Sequence, residues 1–153
     1  MTVWDIGANV GLFTLPSARA VGPTGHVVAF EPMPRNLRFL RRHLALNGLG
    51  GIVVCEAAVS DRAGTLRMKE GDSPSEFHAD PGGDREVRAI TLDEWLSENG
   101  ALPPDVVKID VEDSDDAVLR GGARLLAGWG YKVTSLEPGR GPEVSSEWLA
   151  EPL

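Results

Sequence analysis

Several apolar runs in this chain end in an acid or a glycine, and that placement marks where chemistry belongs. Val3-Trp4-Asp5-Ile6 leads into Gly7-Ala8-Asn9-Val10-Gly11, His26–Phe30 into Glu31, and Ile52–Cys55 into Glu56-Ala57-Ala58. The run from Val106 carries Asp110 and Glu112, and the run from Tyr131 ends at Glu137. In an open parallel sheet, ligands bind beyond the carboxyl ends of the strands, where strand order reverses. The first loop reads Gly7-x-x-x-Gly11, with Asn9 where a dinucleotide fingerprint has its middle glycine. Asp5, just before it, would repel a phosphate but attract a cationic amino group. An adenosyl amino acid has that cation and no phosphate, so the loop favours S-adenosylmethionine over NAD. Glu31 lies about twenty residues beyond Gly11, the spacing of an acid that accepts hydrogen bonds from both ribose hydroxyls.

These residues need a scaffold that sets strand ends side by side, and the pattern supplies one. Short apolar runs alternate with helical periodicity, the rhythm of βαβ units in an α/β fold with a mostly parallel sheet. The strands are Val3–Ile6, His26–Phe30, Ile52–Cys55, Val106–Val111 and Tyr131–Leu136, in the expected order 3-2-1-4-5. A helix is expected from Asn9 to about Val21, with Leu12, Leu15 and Ala18 as its apolar stripe; Pro16 marks either an early helical position or a kink. A second opens at Pro34, buries Leu37, Leu40 and Leu44, turns Arg35, Arg38, Arg41 and Arg42 to water, and ends at Asn47-Gly48. Leu66–Met68 and Val87–Ala89 suggest short strands around a mobile loop from Glu70 to Glu86, where a substrate lid could sit. Thr91 caps a short amphipathic helix, and another follows from Ser114, loosened by Gly121-Gly122.

Taken in order, the motifs resemble those of the FkbM family of class I methyltransferases: Asp5-Ile6-Gly7-Ala8-Asn9-Val10-Gly11, Ala29-Phe30-Glu31-Pro32, Ala57-Ala58-Val59-Ser60-Asp61, Thr91-Leu92-Asp93 and Lys108-Ile109-Asp110-Val111-Glu112. The similarity runs from residue 3 to about 137. It implies a Rossmann-like core, S-adenosylmethionine as cofactor, and methyl transfer to a hydroxyl of a sugar, polysaccharide or secondary metabolite. By that resemblance Asp5 and Gly7 line the methionine portion, Glu31 holds the ribose, Glu56 and Ala58 border the adenine, and Asn9, Gly11 and Asp110 also belong to the cofactor-binding set. Asp110 and Glu112 face the transferred methyl or the acceptor. An alcohol must lose its proton as it is alkylated, so a carboxylate within reach serves as general base. Asp110 is the first choice, Glu112 the second and Glu137 a distant third.

Some features depart from the family pattern. Asp113 and Asp115 stand where a glycine and a glutamate are usual. The chain begins almost at the first strand and stops soon after the fifth, so the expected core is shortened at both ends, without an antiparallel terminal hairpin. Two readings stand: an active O-methyltransferase, or a shortened S-adenosylmethionine-binding module without turnover. The acids from Asp110 to Asp116 fit the N-terminal charge complement of a helix better than a metal site. His26, His43 and His78 show no ligand spacing; His43 is expected in water, and only His78 is placed to approach an acceptor.

Bulk properties narrow the rest. One domain suits 153 residues. A net charge of −8 disfavours nucleic acid as a partner. No run is long enough to span a membrane and no signal peptide is visible. The lone Cys55 reads as a buried apolar residue in a cytoplasmic protein. Self-association, or a partner chain covering the edge of a reduced sheet, is the remaining expectation.

Overall fold

The structure, a computed structural model, describes residues 1–71, 77–112, 114–128, 131–135 and 148–152. Its elements are β1 (Thr2–Ile6), α1 (Thr14–Val21), β2 (His26–Phe30), α2 (Pro34–Leu46), β3 (Val53–Cys55), β4 (Ala58–Val59), β5 (Gly64–Glu70) and β6 (Phe77–Ala79). There follow β7 (Arg85–Ile90), α3 (Leu92–Asn99), β8 (Val106–Ile109), α4 (Asp115–Gly121), α5 (Ala123–Gly128), β9 (Tyr131–Ser135) and β10 (Trp148–Pro152).

The main sheet has the order β3-β2-β1-β8-β10-β9. Its first four strands are parallel, as the βαβ rhythm requires. All five residues of β1 are buried, which is why Val3-Trp4-Asp5-Ile6 reads as a run rather than an alternation. The far side of the sheet corrects the expected order. β9, the expected fifth strand, does not pair with β8: β10 lies between them, antiparallel to both. An antiparallel β9–β10 pairing therefore exists where none was expected. Glu137 and Asp113 lie outside the described residues.

Trp4 and Phe30 project from β1 and β2 to meet Trp95 of α3. The rings meet edge to face, 5.0–5.6 Å apart. Such pairs add about 0.5–1.5 kcal/mol each beyond the area they bury. Ile6, Val28, Val107, Ile109, Val118 and Leu125 are among the residues that pack around them in this core. Thr91 caps α3 by accepting from the Glu94 N–H at 3.1 Å, while its hydroxyl donates to the Glu94 carboxylate at 3.0 Å. Asp93 then caps α5, accepting from the backbone N–H groups of Arg124 and Leu125.

Local readings fare unevenly. α2 has the expected limits and buried face, with Pro34 in its first turn. α1 starts later than expected, at Thr14, so Pro16 falls in its first turn, where a missing N–H costs little. Leu12 is 86% exposed rather than part of the apolar stripe. The short strands expected around the loop are present as β5 and β7, and within the expected loop Glu70, Phe77–Ala79, Arg85 and Glu86 are also in strands. β5 joins β6 and β7 in antiparallel register, and β4 joins β7, forming a second sheet in the order β4-β7-β5-β6. No helix among the described residues is long and apolar enough to cross a membrane.

Gly121-Gly122 does more than loosen a helix. A Cβ at position 121 would stand 2.0 Å from the Ser60 carbonyl oxygen, so α4 packs directly on the backbone following β4. Gly121→Ala is expected to cost about 1–3 kcal/mol in chemical denaturation through overpacking. Gly128→Ala, with nothing within 4 Å of the added Cβ, should be neutral or gain up to about 1 kcal/mol. Equal stability for the two variants would refute the close approach.

Candidate functional site

Asp5 and Lys108 are register partners on the adjacent parallel strands β1 and β8, so their side chains leave the same face of the sheet side by side. Both are buried, Asp5 completely. The Lys108 Nζ lies 3.1 Å from Asp5 Oδ1 and 3.2 Å from Asp110 Oδ2, and donates to the Gly7 carbonyl at 3.0 Å. The Phe13 ring lies 6.0 Å away. Thr14 Oγ1, at the start of α1, donates to Asp5 Oδ2 at 2.5 Å. Asp5 does meet an ammonium, as its position suggests, but one that the chain itself supplies.

Beyond β1 the backbone turns through Gly7 at φ +77°, Asn9 at +51° and Gly11 at +96°. Glycine is needed at position 7 on two counts. Its φ is left-handed, and a Cβ there would lie 1.8 Å from the Asp110 carbonyl oxygen, so the ends of β1 and β8 come together only without one. The N–H groups of Gly7 and Ala8 both reach the Phe30 carbonyl, tying the loop to the end of β2.

Glu31 follows directly. Its Oε2 accepts from the Asn9 N–H at 2.8 Å, and its Oε1 accepts from the Met33 N–H at 2.9 Å and from Asn36 Nδ2 at 3.3 Å. A carboxylate has about four acceptor positions, so this one retains capacity for a further donor. Burial raises its pKa above the usual 4.5; the hydrogen bonds from Met33, Asn9 and Asn36 oppose that shift, and the Asp5 charge adds to it. Ionising Glu31 therefore costs folding free energy: its contribution is fully present below pH 4.5 and lost as the pH rises through the raised value.

A cleft open to solvent lies at these strand ends. One wall is polar: Gly7, Asn9, Glu31, Asn36, Glu112 and Ser114. The other is apolar, and it comes from the second sheet through Leu66, Met68, Phe77 and Ala79, which face Met33 and Ala58.

Of the residues expected at the site, Gly7, Asn9, Glu31, Ala58 and Glu112 are brought together around this cleft. Asp5 and Gly11 stand behind the loop and do not line it. Glu56 points away and pairs with Arg41. Asp110 lies at the rim of the ion cluster, its side chain 40% exposed and paired with Lys108, outside the lining. Glu112 takes a left-handed φ of +45°. His78, on β6, alternates with Phe77 and Ala79 and so leaves the sheet on the face away from the cleft. His43 is only partly exposed, with Nδ1 2.7 Å from the Val10 carbonyl. Burial raises the Cys55 pKa, with Arg88 and Trp95 opposing, which keeps its thiol protonated.

The sequence reading missed Asn36, the anchoring role of Lys108 and the apolar wall. The period-two spacing of Leu66 and Met68, with that of Val87 and Ala89, was the available signal for the wall.

Removing one member of a buried ion pair strands the other, at a cost of about 3–5 kcal/mol. Lys108→Met is expected to lose that much in urea denaturation, and Asp5→Asn added to it should recover most of the loss. A single-variant loss below about 1 kcal/mol would show that the pair does not anchor the sheet.

A family model described as the methyltransferase FkbM domain matches residues 5–149. The hexuronic acid methyltransferase AglP of Haloferax volcanii is 27% identical, over 97% of this chain and 61% of its own length. The 31-O-demethyl-FK506 methyltransferase FkbM of Streptomyces tacrolimicus is 30% identical, over 78% of this chain and 58% of its own. The chain thus spans about 60% of the length of these curated relatives. The crystal structure of methyltransferase FkbM from Methylobacillus flagellatus KT shares the fold at a TM-score of 0.64 and 16% identity, over 97% of this chain and 42% of that one. With its strand-end loop, its acid after β2 and a family match from Asp5 to Leu149, the chain belongs to the FkbM family of methyltransferases.

Proposed function

We propose that this chain binds S-adenosylmethionine in the cleft at the ends of β1, β2 and β8 and methylates a hydroxyl of a sugar, polysaccharide or secondary metabolite. The observation that carries the reading is Glu31: a buried carboxylate on the cleft wall, fixed by three donors and still able to accept another. The residues present fit the cofactor. Glu31 would take a ribose hydroxyl, the polar wall at Gly7 and Asn9 would meet the methionine portion, and the small Ala58 beside Met33 leaves room for a flat base. The cofactor supplies an electrophilic methyl on a positively charged sulfur. A cytoplasmic setting belongs to the same reading.

For an alcohol acceptor the chain must do two things: hold the oxygen in line with the methyl, and take the hydroxyl proton. Glu112 lines the cleft, whereas Asp110 is engaged by Lys108. This favours Glu112 as the proton acceptor, with Asp110 second. The Asp110–Lys108 pair also favours the competing reading, in which the chain binds the cofactor without turnover.

Calorimetric titration with S-adenosylhomocysteine, beside an NAD control, tests the cofactor. Micromolar binding that falls at least tenfold in Glu31→Ala, with none to NAD, is expected; a folded chain that binds neither would sink the proposal. Because the Glu31 pKa is raised, affinity should weaken on acidification at a pH above 4.5. That pH dependence should be absent from Glu31→Gln. In an acceptor screen, Glu112→Gln should lower turnover by about 10²–10⁴-fold while leaving homocysteine-form affinity within threefold. The same loss in Asp110→Asn alone would assign the proton to Asp110 instead.

A further inference from the structure

We infer that His43, on α2, is a positioning residue for the cofactor loop, acting by clamping one peptide plane of that loop from behind; the inference rests on the cofactor reading above. The plane is the one joining Val10 to Gly11. On one side its N–H, carried by Gly11, donates to the Ala8 carbonyl at 2.8 Å. On the other its carbonyl, carried by Val10, lies 2.7 Å from His43 Nδ1. A carbonyl oxygen only accepts, so Nδ1 carries the proton, and it does so in the neutral Nδ1–H tautomer and in the imidazolium alike.

The clamp sits where the backbone most needs one. Asn9 and Gly11, on either side of Val10, both have positive φ, and a non-glycine residue at such an angle persists only when its surroundings hold it. The contacts divide the loop between them. Glu31 fixes the Asn9 N–H from the cleft side, and Lys108 fixes the Gly7 carbonyl from inside the sheet. The N–H groups of Leu15 and Ser17 run back to the Gly11 and Phe13 carbonyls as α1 begins. His43 supplies the fixed point between these ends. It is well placed to do so because α2 is itself tethered there: Arg19 of α1 donates to Asn47 Oδ1 at 2.6 Å, and the Asn47 side chain donates to the His43 carbonyl at 2.8 Å. The polar loop wall that would meet the methionine portion therefore has its shape set partly by a residue outside the cleft.

The test compares His43→Leu, which keeps bulk but removes the donor, with His43→Asn, whose Nδ2 stands one bond beyond Cγ, as Nδ1 does. Two quantities are measured in each: the dissociation constant for S-adenosylhomocysteine, and hydrogen exchange of the Asn9 and Gly11 amides without ligand. Loss of one net hydrogen bond corresponds to about three- to tenfold. The Leu variant is expected to bind that much more weakly and to exchange those two amides faster by a similar factor, with amides in β1 and β8 unchanged. The Asn variant should restore both. Wild-type binding and exchange in the Leu variant would overturn the inference, as would equal defects in Leu and Asn. Absence of binding by the wild-type chain, with exchange still responding to Leu and rescued by Asn, would overturn the cofactor reading and leave the clamp standing.

Discussion

An ammonium group shut inside a parallel sheet must be answered by acceptors on every side, and at Lys108 the whole architecture converges on that requirement. Its partners come from three places: Asp5 across the β1–β8 register, Asp110 two residues along its own strand direction, and the Gly7 carbonyl at the mouth of the glycine loop. Taking two charges out of water costs several kcal/mol per ion, recovered only when geometry and hydrogen bonding are good. A one-residue slip between β1 and β8 would send Lys108 and Asp5 to opposite faces. The ion cluster thus sets the register of the central strands, and that register places Gly7 against Asp110.

The cleft is built on this frame by a division of labour. The main sheet supplies polar and charged groups at its strand ends, while the second sheet supplies apolar surface. Met33 and Ala58 link the two, packing with Met68 and Val87. Glu31 stands at the seam. Its carboxylate is buried enough for desolvation to disfavour its charge, yet the donors around it are arranged for the ionised form. A buried group under opposing influences of that kind, on the wall of a cleft, is a frequent mark of a functional position.

What the sequence disclosed follows the range of the interactions involved. The glycine loop, the acid after β2, the Thr91 cap and the buried face of α2 depend on residues close in the chain, and each is found where spacing put it. Longer-range features were hidden. His43 reads as solvated on an arginine-rich helix because its acceptor, a backbone carbonyl, lies 33 positions away. Lys108 reads as one motif residue among several because Asp5 is so distant in sequence. Glu70 to Glu86 reads as a loop because its composition is rich in turn formers, and β6 (Phe77–Ala79) within it forms by pairing with β5, where long-range pairing overrides local propensity. Glu56 and Ala58 sit near each other in sequence but diverge, since Arg41 draws the acid outward.

The placement of β10 between β8 and β9 also sets an order of events in time. During synthesis β9 is complete before β10 exists, and it has no direct pairing with β8 to adopt. The free edge of β8, beside the buried lysine, is covered only when residues near 148 have emerged and threaded back antiparallel between two strands already made. Unpaired edges invite pairing with other chains, and contacts that close late and at long sequence separation slow folding. The nascent chain therefore passes through a stage in which β8 lies at an open margin, where a chaperone or a neighbouring copy can compete with the chain's own last strand.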